Sequence, residues 1–160
     1  MTENEQKALK TVKNYVWWSM GAGLIPFPWV DMAAVSGVQL KMVAAISKIY
    51  GVRFQANSDK AVIGSLVGSL VPGAVSYGAA FTVLKGIPAA GFIVGGSAMV
   101  VISGATTWAL GKVFIQHFES GGTFLNFHPE EVKEYFKAQF AEGRKVATNM
   151  GRDKKSESPA

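Results

Sequence analysis

The sequence predicts an all-α membrane protein: a glycine-rich two-helix transmembrane hairpin, flanked by an N-terminal amphipathic or re-entrant helical hairpin and a C-terminal amphipathic helix. Three observations predict it. Residues 61–84 and 86–111 carry no charged side chain, with Lys85 alone between them. Apolar residues make up 49% of the chain and charged ones 17%, below the quarter usual in soluble domains. The 18 glycines cluster in the apolar middle rather than in loops. A helix crosses the hydrocarbon layer with about 20 apolar residues, so both runs are long enough. A core helix of a small soluble domain shows water one face and carries charges there at helical spacing, and neither run does so.

The elements follow in order. Residues 3–13 read as a charged helix with Lys7, Lys10 and Lys13 at every third position, and "YVWWSMGAGLI" after it turns apolar. Trp17 and Trp18 at that transition are the interfacial signature of a segment whose far end sinks into lipid. Pro26, Phe27, Pro28, Trp29 and Asp31 form a corner: the prolines end one helix and start the next, and Asp31 meets the new helix's unpaired amides. That helix runs on to Gly51, a natural terminator. "KGIP" at 85–88 allows only a tight turn between the two spans. Lysine and arginine lie before 61 and after 111, with Lys85 alone at the turn, so both termini are expected on the cytoplasmic side. Trp108 suits the interfacial aromatic belt.

Small residues in the spans have a mechanical reading. Gly64 and Gly68 form one G-x-x-x-G and Gly91 and Gly95 another, with Gly104 further along, and such residues let helix backbones approach closely in lipid. The motifs serve either the hairpin itself or self-association. Pro72 and Gly73, midway along the first span, predict a kink there. After the hairpin, Gly121 and Gly122 stop one helix and Pro129 opens another, with Glu130 and Glu131 in its first turn and Arg144 and Lys145 in its last. Val132, Tyr135, Phe136 and Phe140 make an apolar docking stripe along it. Four regions result: 1–57, 58–112 as the transmembrane hairpin, 113–150 as a cytoplasmic helical region, and 151–160 as a disordered tail.

Composition also excludes. With no cysteine there is no disulfide, thiolate metal site or cysteine nucleophile. The net charge of +5 sits mainly at the two ends, without the aromatic-interleaved basic motif of nucleic-acid modules, so an anionic membrane surface is the expected counterpart. No phosphate-cradling loop is present. His117 and Glu119, two apart on a helix, point away from each other, and His128 before Pro129 reads as a loop or capping residue. Neither catalytic residues nor a cofactor is expected.

"LIPFPWVDMAAVSGVQLKMVAAISKIYG", with its P-x-P-x-x-D corner, resembles the DUF697 family, as do the glycine-rich hairpin and "HFESGGTFLNFHPEEVKEYFKAQFAEGRK". The resemblance covers residues 10 to 147. Its members are small membrane-associated domains that stand alone or accompany Era-like and dynamin-like GTPases. This chain has no GTPase motif, so the resemblance implies a stand-alone member. It implies a membrane protein that either associates with a GTPase or self-assembles, without saying which. The expectation is a non-enzymatic protein of the bacterial inner membrane that self-associates and scaffolds or shapes membrane. A small pore, or a soluble bundle binding a hydrophobic ligand, are the alternatives.

Overall fold

The computed structural model describes residues 1–22, 28–55, 61, 63 and 90–157, with side chains at 1–22, 35–55, 61, 63 and 100–153. The described residues are all-helical: α1 (Glu3–Ala22), α2 (Pro28–Ile49), α3 (Ala90–Glu119), a 3-10 turn (Phe124–Asn126) and α4 (Lys133–Glu157).

Local chemistry sets most boundaries. The Thr2 hydroxyl accepts from the Glu5 amide at 3.1 Å, and Glu3 pairs with Lys7 at 2.6 Å one turn on. Helix α1 then continues unbroken through the change from charged to apolar sequence, because Ala8, Val12, Val16, Ser19 and Met20 keep a buried stripe at helical spacing. Helix α2 opens on Pro28, whose missing amide hydrogen has no intrahelical partner at a first position anyway. It closes in a Schellman arrangement: Val52 donates to the Ser47 carbonyl at 2.8 Å and Gly51 to Lys48 at 3.2 Å, with Gly51 at φ +69°. Helix α3 ends the same way, with Gly121 at φ +80° and the Gly122 amide on the His117 carbonyl at 2.9 Å. Helix α4 departs from expectation at both ends. Pro129 begins a turn, regular helix starts at Lys133, and the helix runs to Glu157 through residues 151–157, expected to be tail.

Helix α3 is central. It runs antiparallel to α1, with Val12 against Gly111 and Met20 against Gly104. It runs alongside α2 in the same direction, linked by Gln39 to Thr107 and by Tyr50 to Phe118. It is antiparallel to α4, with Gly143 on Ala105 and Ala147 on Gly104.

This arrangement corrects the reading of the second uncharged run. Residues 103–111 are buried at every position, and Val113 and Phe114 continue that core. A helix wrapped by three others needs no water-facing side, so the absence of charge here follows from protein packing. Trp108, expected in an interfacial belt, is a core residue with 5% exposure, its Cβ beneath Gly143. Among the described residues no helix is long and apolar enough to cross a membrane. The first expected span, 61–84, lies outside the described residues apart from Ala61 and Ile63.

Candidate functional site: the uncharged end of the bundle

The antiparallel and parallel registers sort the chain's chemistry by height along the bundle. At one end lie the start of α1, the ends of α2 and α3, and the 3-10 turn. An aromatic cap closes it. Phe114 stacks on Phe127 at 4.8 Å, Phe118 and Phe124 meet edge to face at 5.3 Å, and Phe54 reaches Phe124 at 5.6 Å. His117 is part of this cap: its Nε2 lies 2.9 Å from the Thr123 carbonyl, and its ring meets Phe127 edge-on at 5.0 Å. Among the described residues no cluster of His, Asp and Glu could hold a metal ion. The Thr2 hydroxyl, helped by the N-terminal charge, holds the exposed Glu119 carboxyl below the ordinary carboxylate range.

Toward the middle comes a band of cations. Val12 against Gly111 sets Lys10 and Lys13 level with Lys112. Gln39 on Thr107 brings Lys41 near the same height, whereas Gly143 on Ala105 and Ala147 on Gly104 set Arg144 and Lys145 further along, level with Trp17 and Trp18 of α1. Glu142 precedes them on α4. Arg144 and Lys145 also line a shallow open groove on α4 with Ala141, Thr148 and Asn149.

Beyond that band charge disappears from three of the four helices. Helix α1 carries none after Lys13, α3 none before Lys112, and α2 before Lys41 has Asp31 alone. Trp18 is 72% exposed and Trp17 37% exposed on this stretch of α1. Helix α4 is the exception, with Arg152 and Asp153 exposed just past Gly151.

A buried polar seam sits at the base of this end. The Ser19 hydroxyl donates to the Ser103 carbonyl at 2.9 Å and receives the Thr107 hydroxyl at 2.8 Å, while the Gln39 amide donates to Thr107 Oγ1 at 3.3 Å. Ser19 and Thr107 have no exposure, so their partners must come from within the protein. The seam ties α1, α2 and α3 in one register.

The residues singled out by sequence fall into three groups. Gly104 lies where three helices meet: a Cβ there would be 2.9 Å from both Ala147 Cβ and Met20 Cγ. Phe136 of the docking stripe is 1% exposed, and Val132, Tyr135 and Phe140 pack partly buried on this protein's own core. Trp17 and Trp18 are surface residues. Pro28, Trp29 and Asp31 occupy the first turn of α2, and Gly91 and Gly95 the first turns of α3. Pro26, Phe27, Gly64, Gly68, Pro72 and Gly73 lie outside the described residues. Sequence reasoning missed Gly111 and Gly143, which take the closest helix approaches, and it missed the seam. Gly104 and Gly111 stand seven apart, two turns on one face of α3, and that spacing was a usable signal.

Fold and surface together define a helical module with a charged, aromatic-capped end and an end almost without charge on three of its four helices. The chain belongs to the family described as Domain of unknown function (DUF697), whose model matches residues 1–145. It is similar to Magnetosome membrane protein 22 of Magnetospirillum gryphiswaldense, with 35% identity over 139 residues, 87% of this chain and 71% of that protein. No solved structure matches it.

Proposed function

We propose that this chain is a non-enzymatic protein of the bacterial inner membrane that self-associates and scaffolds or shapes the bilayer, with both termini cytoplasmic and a GTPase as a further partner. The observation that carries the reading is the collection of the near-uncharged stretches of α1, α2 and α3 at one end of the bundle, beyond a band of lysines. Cations favour an anionic headgroup layer, and uncharged helix ends favour what lies beneath it. The similarity to a magnetosome membrane protein supports the membrane part. In this reading residues 61–84 and the uncharged sequence ahead of residue 103 form the membrane hairpin, shortened from the 86–111 arm because 103–111 are occupied in the bundle. The two G-x-x-x-G pairs, Gly64 with Gly68 and Gly91 with Gly95, supply the self-association.

Fractionation of the full-length protein tests it. Retention through a carbonate wash, solubilisation only by detergent, and particles of several copies by electron microscopy are expected. Release by carbonate alone would support the soluble bundle instead. Solute flux through reconstituted vesicles would favour the pore.

A further inference from the structure

Helix α1 presents an outward face that is exposed to solvent. Its buried stripe takes Ala8, Val12, Val16, Ser19 and Met20, which leaves Lys10, Lys13, Asn14, Trp17, Trp18 and Gly21 exposed along the other side. Lys7 is engaged by Glu3 at 2.6 Å, but Lys10 and Lys13 enter no ion pair among the described residues. No acid follows Glu5 on this helix. Cations therefore occupy the middle of the face and tryptophans its far end, where the uncharged sequence begins. A protein hot spot gathers aromatics centrally inside a polar rim. A gradient along the axis, from lysine to tryptophan, is instead the order of a lipid interface, with phosphates outermost and the carbonyl region beneath.

A second feature sets depth. Met20, in the last turn of α1, reaches both Gly104 of α3 and Gly151 of α4, its Cε 3.8 Å from a Cβ at Gly151. The end of α1 is thus level with the point where α4 turns charged: Arg152 and Asp153 are exposed at once, and Lys154, Lys155 and Glu157 follow on the same helix. Carrying those ions into hydrocarbon is costly, so this side of the bundle stops at the headgroups.

We infer that the outer face of α1 is seated on anionic phospholipid, Lys10 and Lys13 on the phosphates and Trp17 and Trp18 at the interface, with the charged last turns of α4 limiting entry to the outer part of one leaflet. The inference rests on the membrane reading above and names its lipid class and contact residues.

The test uses the full-length protein and phosphatidylcholine vesicles with and without phosphatidylglycerol. Flotation at low salt measures partition, and the tryptophan emission lost on Trp18→Phe, quenched by lipids brominated near to or far from the headgroup, measures depth. Wild type is expected to partition to phosphatidylglycerol vesicles and to lose that preference as salt rises. Each lysine near an anionic surface is worth about fivefold in partition, so Lys10→Glu with Lys13→Glu should weaken it at least about 25-fold. Trp18→Ser should weaken binding to both vesicle types, and near-headgroup bromines should quench best. All three side chains are exposed, so an unchanged helical spectrum checks folding. Variants that float like wild type, or equal binding to phosphatidylcholine alone, would overturn the inference. If carbonate-resistant insertion persists in that case, the membrane reading stands without it. Wild type that floats with neither vesicle sinks both. Variants that change oligomer mass but not flotation would make this face a contact between copies and overturn the lipid assignment.

Discussion

Glycines carry the sharpest residue-scale tests, because a single methyl group decides the outcome in opposite directions. A Cβ at Gly143 would lie 2.8 Å from the Ala105 carbonyl oxygen and 3.0 Å from its Cα, and backbone cannot step aside. Alanine gains up to about 1 kcal/mol over glycine in a helix interior. The overlap costs about 1–3 kcal/mol, so Gly143→Ala should come out destabilised, with a lower urea midpoint. Gly111→Ala meets Val12 and should fall the same way. At Gly37 of α2 no described residue lies within 4 Å of the missing Cβ, so Gly37→Ala should stabilise by about 0.5–1 kcal/mol, read as a higher urea midpoint. Tyr50 gives a pH test. Burial, aided by the Glu119 carboxylate, pushes its hydroxyl well above the ordinary value of about 10. The folded state thus holds the neutral phenol, a contribution complete below pH of about 10 and lost as pH rises past it, when the unfolded chain ionises. Urea titrations at rising alkaline pH should show wild type losing stability faster than Tyr50→Phe. At this scale Gly104 was legible as a packing residue. Gly143 was not, because a glycine among "AEGRK" reads as a helix end until the partner backbone is seen.

At the scale of elements, the seam of Ser19, Thr107 and Gln39 predicts coupling. Ser19→Ala removes the acceptor for Thr107, and Thr107→Val leaves the Gln39 amide and Ser19 short of a partner. Each should cost about 1–3 kcal/mol. Their sum should exceed the double variant by about 0.5–3 kcal/mol in a urea double-mutant cycle, since the second change removes groups the first has already orphaned. Asp31, in the first turn of α2, gives a second element-scale test: Asp31→Ala should disturb insertion or assembly more than any chemistry, read by carbonate resistance and particle mass. Normal assembly with loss of an activity would refute that structural role. Helix boundaries tied to backbone chemistry were legible in advance: Pro28 opening α2, Gly51 closing it, Gly121 and Gly122 closing α3. Where burial decides, sequence misled. The uncharged run 86–111 meets the length and composition of a membrane span, and only the three helices packed around 103–111 reveal a protein core in that part of it. Helix α4 outran its expected end because Gly151, with an ordinary helical φ, sits opposite Met20 and interrupts nothing.

The whole molecule is polarised along its axis, and its proposed role depends on that polarity. One end is capped by Phe114, Phe118, Phe124 and Phe127 and bordered by acids. The other carries Asp31 alone among charged residues on α1, α2 and α3, beyond a band of Lys10, Lys13, Lys41 and Lys112. Sequence alone indicated that uncharged stretches exist and that tryptophans border one of them. It could not show that three stretches far apart in the chain share one end, since that depends on which helices run antiparallel. The chain has no cysteine, so single cysteines can carry spin labels without background. Labels at Trp18→Cys and Gly21→Cys, and at Gln116→Cys and Leu125→Cys, compare the two ends in one experiment with phosphatidylglycerol vesicles. The account predicts that the first pair is relaxed chiefly by oxygen, which concentrates in lipid, and the second by a water-soluble nickel chelate. Equal relaxation of all four by the nickel chelate would contradict it.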